Sequence, residues 1–180
     1  MSIFSLQVKV KHYELTLEDW IEILMHRELV FPEYCRNFVW DKERVINFVD
    51  SMNAGFHVPS LTIGIVIDHG KRYSYLVDGQ QRLTAIMLAY MSLFPKVALE
   101  NKSHNWTLEA LTSLGSTRDS IKNNMDHSLY ERIDYNTTVA FYRYKTIGCN
   151  FLVPNRLCTQ EHVEYYENLY RKINQGAVPL

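Results

Sequence analysis

The chain has 180 residues, enough for a single domain with a sizeable hydrophobic core. Its formal net charge of -1 excludes a global basic field, so any contact with nucleic acid must use a local patch. The three cysteines form no CxxC pair, and no apolar run approaches the roughly 20 residues of a membrane span. Because the N-terminus also lacks a secretory signal, we expect a reduced cytoplasmic protein without a membrane partner.

The first third of the sequence predicts an edge strand and two helices. Residues 3–10 alternate loosely between apolar and polar types and predict an edge strand. Thr16 precedes apolar residues at helical spacing, so we expect it to cap a helix over 17–27. An aromatic, proline-containing segment over 30–40 favours extended structure, and Asp41 then caps a second helix.

The stretch over 60–78 carries the clearest strand signal in the chain. Two runs rich in β-branched and aromatic residues flank a short glycine-containing turn, which predicts a β-hairpin. The second strand ends at Asp78, and Gly79 leads into a helix predicted over 80–93. That helix is apolar nearly all round and is therefore expected to be buried, with Pro95 ending it.

The local signals weaken after residue 95 and recover near the C-terminus. The predicted elements are helices over 106–114 and 116–125, a turn-like stretch over 126–136, a helix over 138–147 with a strand as the alternative, an edge or irregular strand over 151–157, and a last helix capped by Thr159. Together the elements predict an α+β fold with a small mixed sheet packed against helices. We expect one domain over 1–180, with a variable helical middle at about 96–150.

The turn between the hairpin and the buried helix has the chemistry of an anion site. A strand that enters a helix through glycine leaves backbone N–H groups and the positive end of the helix dipole at the turn. Arg82, in the first helical turn, adds a planar cation suited to phosphate or carboxylate. Burying such a charge unpaired is costly, so an anion must lie beside it. The sequence leaves open whether this anion is a ligand or a carboxylate side chain.

Folding needs alone would also explain these residues. Asp78 would then cap the helix, with Gln81 closing a capping box, and Arg82 would form a salt bridge. A cation beside Cys35 would favour its thiolate, although no redox role is predicted for this cysteine. The seven histidines show no metal-ligand spacing, so no zinc site is expected.

Three segments of the sequence resemble those of a known family. The segments are FPEYCRNFVWDKERVINFVDSMNAGFHVPSL, YLVDGQQRLTAI and LYRKINQGAVPL. In this order they resemble the hallmark blocks of the N-terminal domain of GmrSD-type restriction endonucleases, a family of the wider ParB/sulfiredoxin-like superfamily. The matching positions are Pro32, Tyr34, Arg36 and Trp40, then Asp78, Gly79, Gln80, Gln81 and Arg82 (the DGQQR motif), then Ile173, Asn174, Gly176 and Leu180. Two positions depart from the pattern: Cys35 stands where glutamine is usual, and Ala177 where a second glycine is frequent.

The resemblance implies a ParB/sulfiredoxin-like fold and a nucleoside-triphosphate-binding domain, usually an NTPase, that serves defence against foreign or modified DNA. Mg²⁺ is the cofactor inferred from that nucleotide chemistry. Family members often carry a C-terminal HNH nuclease domain, and none is expected in this sequence.

The resemblance also assigns roles to individual residues. The predicted catalytic residues are Asp78, Gln81 and Arg82, with Asp78 also the Mg²⁺ ligand. The predicted nucleotide- or phosphate-binding residues are Arg36, Gly79, Gln80, Arg82, Thr84 and Asn174. Together they would form a pocket with three sides.

Two other functions remain open at this point. One is a metal-dependent DNA nuclease of the ParB-like type, which would use the same acidic and basic groups. The other is a non-catalytic module or inhibitor that binds a protein partner. The expected partners are therefore a nucleoside triphosphate, DNA, and a nuclease or another protein. The setting would be the cytosol, for a bacterial or a phage-encoded protein.

Overall fold

The computed structural model describes residues 8–32, 35, 38–96, 113, 115, 117–125, 127–133, 135, 139–155 and 159–175. Within these residues the chain forms seven strands and six helices, which confirms the predicted α+β class. In chain order they are β1 (Val8–Thr16), α1 (Leu17–Met25), β2 (Leu29–Val30), α2 (Lys42–Asn53), β3 (Leu61–Asp68), β4 (Lys71–Asp78), α3 (Gln80–Met91), β5 (Leu93–Pro95), α4 (Arg118–Asn124), β6 (Tyr130–Arg132), α5 (Val139–Tyr144), β7 (Thr146–Pro154) and α6 (Thr159–Gln175).

The main sheet is mixed and has the strand order β1-β7-β3-β4-β2. Strands β3 and β4 pair antiparallel, so the predicted hairpin is confirmed. Strand β7 pairs antiparallel with β1 and parallel with β3, while β2 pairs parallel with β4. The edge position expected for the strand over 3–10 is therefore confirmed for residues 8–10, and the strand runs on to Thr16. Residues 3–7 of the predicted span lie outside the described residues.

The edge position predicted for the strand after residue 150 is wrong, because β7 lies inside the sheet. Its proline, Pro154, is the last residue of the strand, where a missing N–H interrupts the ladder least. Strand β7 also begins earlier than predicted, at Thr146, so the helix expected over 138–147 is confirmed only through Tyr144.

The predicted helix starts are largely confirmed by their caps. Thr16 and Asp19 form a capping box at the start of α1, and the Asp41 carboxylate accepts a hydrogen bond from the Arg44 backbone N–H at the start of α2. Thr117 opens α4 in the same way. The helix predicted over 106–114 falls almost entirely outside the described residues.

Two segments near the end of α3 differ from expectation. The helix stops at Met91 because Ser92 adopts a left-handed conformation, and Pro95 lies in β5 rather than at the helix end. The stretch over 126–136, predicted to be turn-like, contains β6, which pairs antiparallel with β5 in a separate two-stranded sheet. Three-residue strands of this kind carry too few residues to show a period-2 pattern.

Both faces of the main sheet are covered by helices. On one face, α1, α2 and α3 bury the larger core against alternate residues of β3, β4 and β7. On the other face, α6 packs through Tyr166, which is fully buried beside Val66, Val77 and Leu152. Gly64 makes room for this ring, since a Cβ atom there would lie 2.6 Å from Tyr166 Cδ2. In the described part of the chain, no helix is long and apolar enough to span a membrane.

The Tyr166 hydroxyl lies 2.9 Å from the carbonyl oxygens of both Ile65 in β3 and Leu152 in β7. Burial raises the pKa of this hydroxyl well above its ordinary value, so it remains a hydrogen-bond donor. The bond fixes α6 over the two parallel strands.

We therefore expect Tyr166→Phe to lower the free energy of unfolding by about 1–2 kcal/mol, because a buried hydrogen bond is lost without a change in packing. For a chain of this length the melting temperature should fall by roughly 2–4 °C per kcal/mol in scanning calorimetry. The neighbouring half-buried Tyr165→Phe is the matched control and should change stability much less. Equal losses in both variants would contradict this role of the Tyr166 hydroxyl.

Candidate functional site

A cavity of about 340 Å³ opens at the N-terminus of α3. Its walls come from the end of β4, the first turn of α3, helix α2 with the segment before it, the segment before β3, and the last turns of α6. The described lining residues are Cys35, Trp40, Phe48, Pro59, Leu76, Val77, Asp78, Gly79, Gln80, Gln81, Arg82, Tyr170 and Asn174. The cavity thus brings together the second and third sequence segments, as predicted, with part of the first.

Gly79 is the residue that lets β4 turn directly into α3. It is the N-cap of the helix, with φ 111°, a conformation that L side chains rarely adopt. A Cβ atom there would also lie only 2.1 Å from Leu61 Cδ2 in β3. The predicted capping box of Asp78 and Gln81 is therefore wrong: the cap is a glycine, which has no side chain to accept hydrogen bonds from the first-turn N–H groups.

The anion beside Arg82 is the Asp78 carboxylate. Arg82 Nη2 lies 2.7 Å from Asp78 Oδ2, and Nη1 donates to the backbone carbonyl of Pro59. The Arg82 side chain is 13% exposed and the Asp78 side chain 31% exposed, so the pair sits at the mouth of the cavity. The salt-bridge alternative for Arg82 is thereby confirmed. The same contacts fasten α3 to the segment that leads into β3.

The two glutamines of the motif have different surroundings. Gln81 Oε1 accepts a hydrogen bond of 3.0 Å from the backbone N–H of Val39, so this side chain holds the segment before α2 against α3. Gln80 is 6% exposed, and within the described structure neither its Nε2 nor its Oε1 has a hydrogen-bond partner. An unpartnered buried amide is costly and calls for an explanation.

Cys35 lies in the cavity wall with its Sγ 3.7 Å from the carbonyl oxygen of Leu76. Burial, and secondarily the negative charge of Asp78, raise the pKa of this thiol to about 12. The idea of a low-pKa thiolate is therefore wrong, because burial and the nearby Asp78 carboxylate both favour the neutral thiol.

Apolar and aromatic groups form the remaining wall. The rings of Trp40 and Phe48 meet edge to face with centroids 5.3 Å apart. Tyr170 and Asn174, in the last turns of α6, also line the cavity, and Asn174 Nδ2 donates to the Tyr170 carbonyl, 2.9 Å away. Sequence reasoning did not assign Phe48 or Tyr170 to the site, because helical spacing alone marks both as ordinary core positions.

The two remaining predicted binding residues are Thr84 and Arg36. Thr84 is buried one turn into α3, where its hydroxyl donates to the Gln80 carbonyl at 2.8 Å, and it is not among the described lining residues. Arg36 falls outside the described residues, and its role stays a prediction.

For Mg²⁺, the described residues offer Asp78 as the single carboxylate of the cavity wall. In the described part of the chain, no three or more His, Cys, Asp and Glu side chains cluster in a way that could hold a metal ion. Mg²⁺ usually binds through one or two carboxylates together with substrate phosphates and water. Asp78 thus fits a Mg²⁺ ion that arrives with a phosphate ligand, but not a preformed protein site.

The glutamine pair leads to opposite stability predictions. Gln80→Met removes an unsatisfied buried amide at nearly constant volume, so we expect the free energy of unfolding to rise by about 1–3 kcal/mol. Gln81→Met leaves the Val39 N–H without its acceptor, and the same quantity should fall by a similar amount. Urea unfolding followed by circular dichroism measures both, and a comparable loss in the two variants would contradict the assignment.

The raised thiol pKa predicts slow alkylation. At pH of about 8 the folded protein should carry Cys35 almost wholly as the thiol, so iodoacetamide should label it far more slowly than in urea-unfolded protein. Cys149, whose pKa burial also raises to about 12, is the internal comparison. Peptide mass spectrometry gives both rates, and fast labelling of native Cys35 would be the contrary result.

Comparison with known proteins adds one positive finding. A family model described as "GmrSD restriction endonuclease, N-terminal domain" matches residues 21–180, a span that includes all three sequence segments. Among curated proteins and among solved structures, no match was found. The assignment to the wider ParB/sulfiredoxin-like superfamily remains a prediction. Since the family model covers most of the chain, the protein belongs to the GmrSD restriction endonuclease N-terminal domain family.

Proposed function

We propose that the protein binds a nucleoside triphosphate in the cavity at the N-terminus of α3 and hydrolyses it with Mg²⁺, in the service of DNA restriction. The observation that carries the proposal is the convergence of a helix N-terminus, a buried unpartnered amide and an aromatic wall on one cavity. Its volume of about 340 Å³ lies at the lower end of the range of small-molecule sites. The family description supports the restriction context.

The polar end of the cavity suits the phosphates. The first-turn N–H groups of α3 and the positive end of the helix dipole favour an anion there. Gly79 lets a phosphate approach the backbone closely, because no Cβ stands in the way. In the complex Arg82 would turn its guanidinium from Asp78 to a phosphate oxygen, since its fork presents several donors.

The apolar end suits the base. Trp40, Phe48 and Tyr170 provide ring surface, and stacking on aromatic side chains tolerates every nucleobase. Asn174, in the last turn of α6, offers an amide at the same end. A nucleotide would therefore lie between α3 and the end of α6.

Mg²⁺, when bound with the nucleotide, would neutralise charge on the phosphates. Asp78 is the residue that would hold it, through carboxylate oxygens or bound water. Within this proposal Asp78 has two states, paired with Arg82 in the free protein and facing the ion in the complex.

Binding without hydrolysis is the second candidate. Asp78 and Arg82 neutralise each other in the free protein, so both charges proposed for the chemistry are already engaged. If a nucleotide left this pair closed, the protein would act as a nucleotide-dependent binding module for a protein partner or for DNA.

The test uses purified protein with Mg²⁺ and each of ATP, GTP, CTP and UTP. We expect calorimetric binding of at least one triphosphate and release of inorganic phosphate. Asp78→Asn should reduce phosphate release by about 100-fold or more, because the metal-facing charge is lost. Asp68→Asn, at the far end of the hairpin, is the control and should leave the rate unchanged.

The other outcomes separate the alternatives. Failure to bind any of the four triphosphates would overturn the proposal, and binding without phosphate release would favour the binding module. Mg²⁺-dependent nicking of plasmid DNA that disappears in Asp78→Asn, without any nucleotide, would instead establish the nuclease.

A further inference from the structure

We infer that Gln80 is the residue that orients the attacking water against the terminal phosphate, while Gln81 serves the fold. This inference rests on the proposed nucleotide hydrolysis and assigns a new role within that site. Sequence reasoning had placed Gln81 among the catalytic residues and Gln80 among the binding residues. The proposal exchanges these two roles because of the different hydrogen-bond environments of the two side chains.

The first observation is the unsatisfied amide of Gln80. The side chain is 6% exposed, and in the described structure its donor and its acceptor both lack partners. Gln81 is almost equally buried, at 9%, yet its carbonyl oxygen is already committed to the Val39 N–H. Of two adjacent glutamines, one therefore keeps its hydrogen-bonding capacity for a ligand.

The second observation is the position of Gln80 in the helix. It is the first residue of α3 after the glycine cap, and it lines the cavity. The amide itself is shielded from solvent in the free protein. Because side chains on a helix lean towards its N-terminus, rotation of this amide into the cavity would bring it beside the N–H groups where an anion binds. Gln80 thus sits where the terminal phosphate is proposed to lie.

The chemistry of an amide then selects its partners. The Nε2 group has two donors, which suit the oxygens of a phosphate, whereas Oε1 only accepts and would repel those oxygens. Oε1 therefore requires a donor next to the phosphate, and water is the donor that hydrolysis supplies. One side chain can hold both reactants at the distance and angle required for attack.

In the resulting step the water oxygen forms a bond to the terminal phosphorus. The bond from that phosphorus to the bridging oxygen breaks, and the nucleoside diphosphate leaves with the electron pair. The proton released by the water passes to the phosphate product or to solvent, because a neutral amide is too weak a base to take it. Gln80 acts by orientation and by donation to the developing charge.

The test compares three variants with wild type. For the triphosphate that wild type hydrolyses fastest among ATP, GTP, CTP and UTP, Gln80→Met should lower kcat by about 100-fold. The dissociation constant of the matching β,γ-imido analogue should change by less than about threefold, since the helix N–H groups still bind the phosphates. Gln160→Met, on the exposed face of α6, is the control with the same change of side chain. Its kcat and its dissociation constant for the analogue should equal those of wild type.

The pH dependence of kcat in Gln80→Glu distinguishes a role in the reaction from a purely structural one. A charged glutamate repels the phosphate, but a protonated one again offers a donor and an acceptor. The kcat of this variant relative to wild type should therefore rise as the pH falls from about 8 to about 5.

Three results would overturn the inference. They are a kcat for Gln80→Met within about threefold of wild type, an equal loss of kcat and of analogue affinity, and a Gln80→Glu ratio that does not rise at low pH. If the wild-type protein binds the analogue but hydrolyses none of the four triphosphates, the inference is overturned, whereas nucleotide binding is retained. Wild-type protein that binds no triphosphate would overturn the proposed function itself.

Discussion

The close approach of Gly79 to Leu61 determines where α3 begins, and the rest of the site follows from it. Because the turn from β4 into α3 has no Cβ atom, the helix starts directly against β3. Asp78 is then the last strand residue and Gln80 the first helical residue, on either side of one glycine. A bulkier residue would move the helix away from the sheet, and the cavity at its N-terminus would lose its floor.

Within five residues, the motif DGQQR contains both contacts that hold the fold together and the residues of the proposed chemistry. Arg82 ties α3 to the Pro59 carbonyl and to Asp78, and Gln81 ties it to the Val39 backbone. These bonds hold the segments that form two of the cavity walls. Gln80 takes no part in this framework. Proteins often keep local features that cost stability at functional sites, and the role proposed for Gln80 would account for its unpartnered amide.

Elements that depend on local chemistry could be predicted from the sequence, whereas long-range strand pairing could not. The caps at Thr16 and Asp41 and the hairpin depend on neighbouring residues, and all three follow from the sequence. The interior position of β7 depends on pairing with β1, at least 130 residues away, which no local pattern encodes. In the site, sequence reasoning required an anion beside Arg82, but only the structure identifies it as Asp78.

Helix α6 connects the sheet to the mouth of the cavity. Its anchor is the Tyr166 hydroxyl over β3 and β7, and Asn174 lies eight residues further on, about 12 Å along the axis. A rigid rod held near one point acts as a lever arm. A tilt of about 5° at Tyr166 would displace Asn174 by about 1 Å, enough to make or break a hydrogen bond. The anchoring of Tyr166 to the sheet therefore sets how far the wall formed by the end of α6 can move towards a ligand.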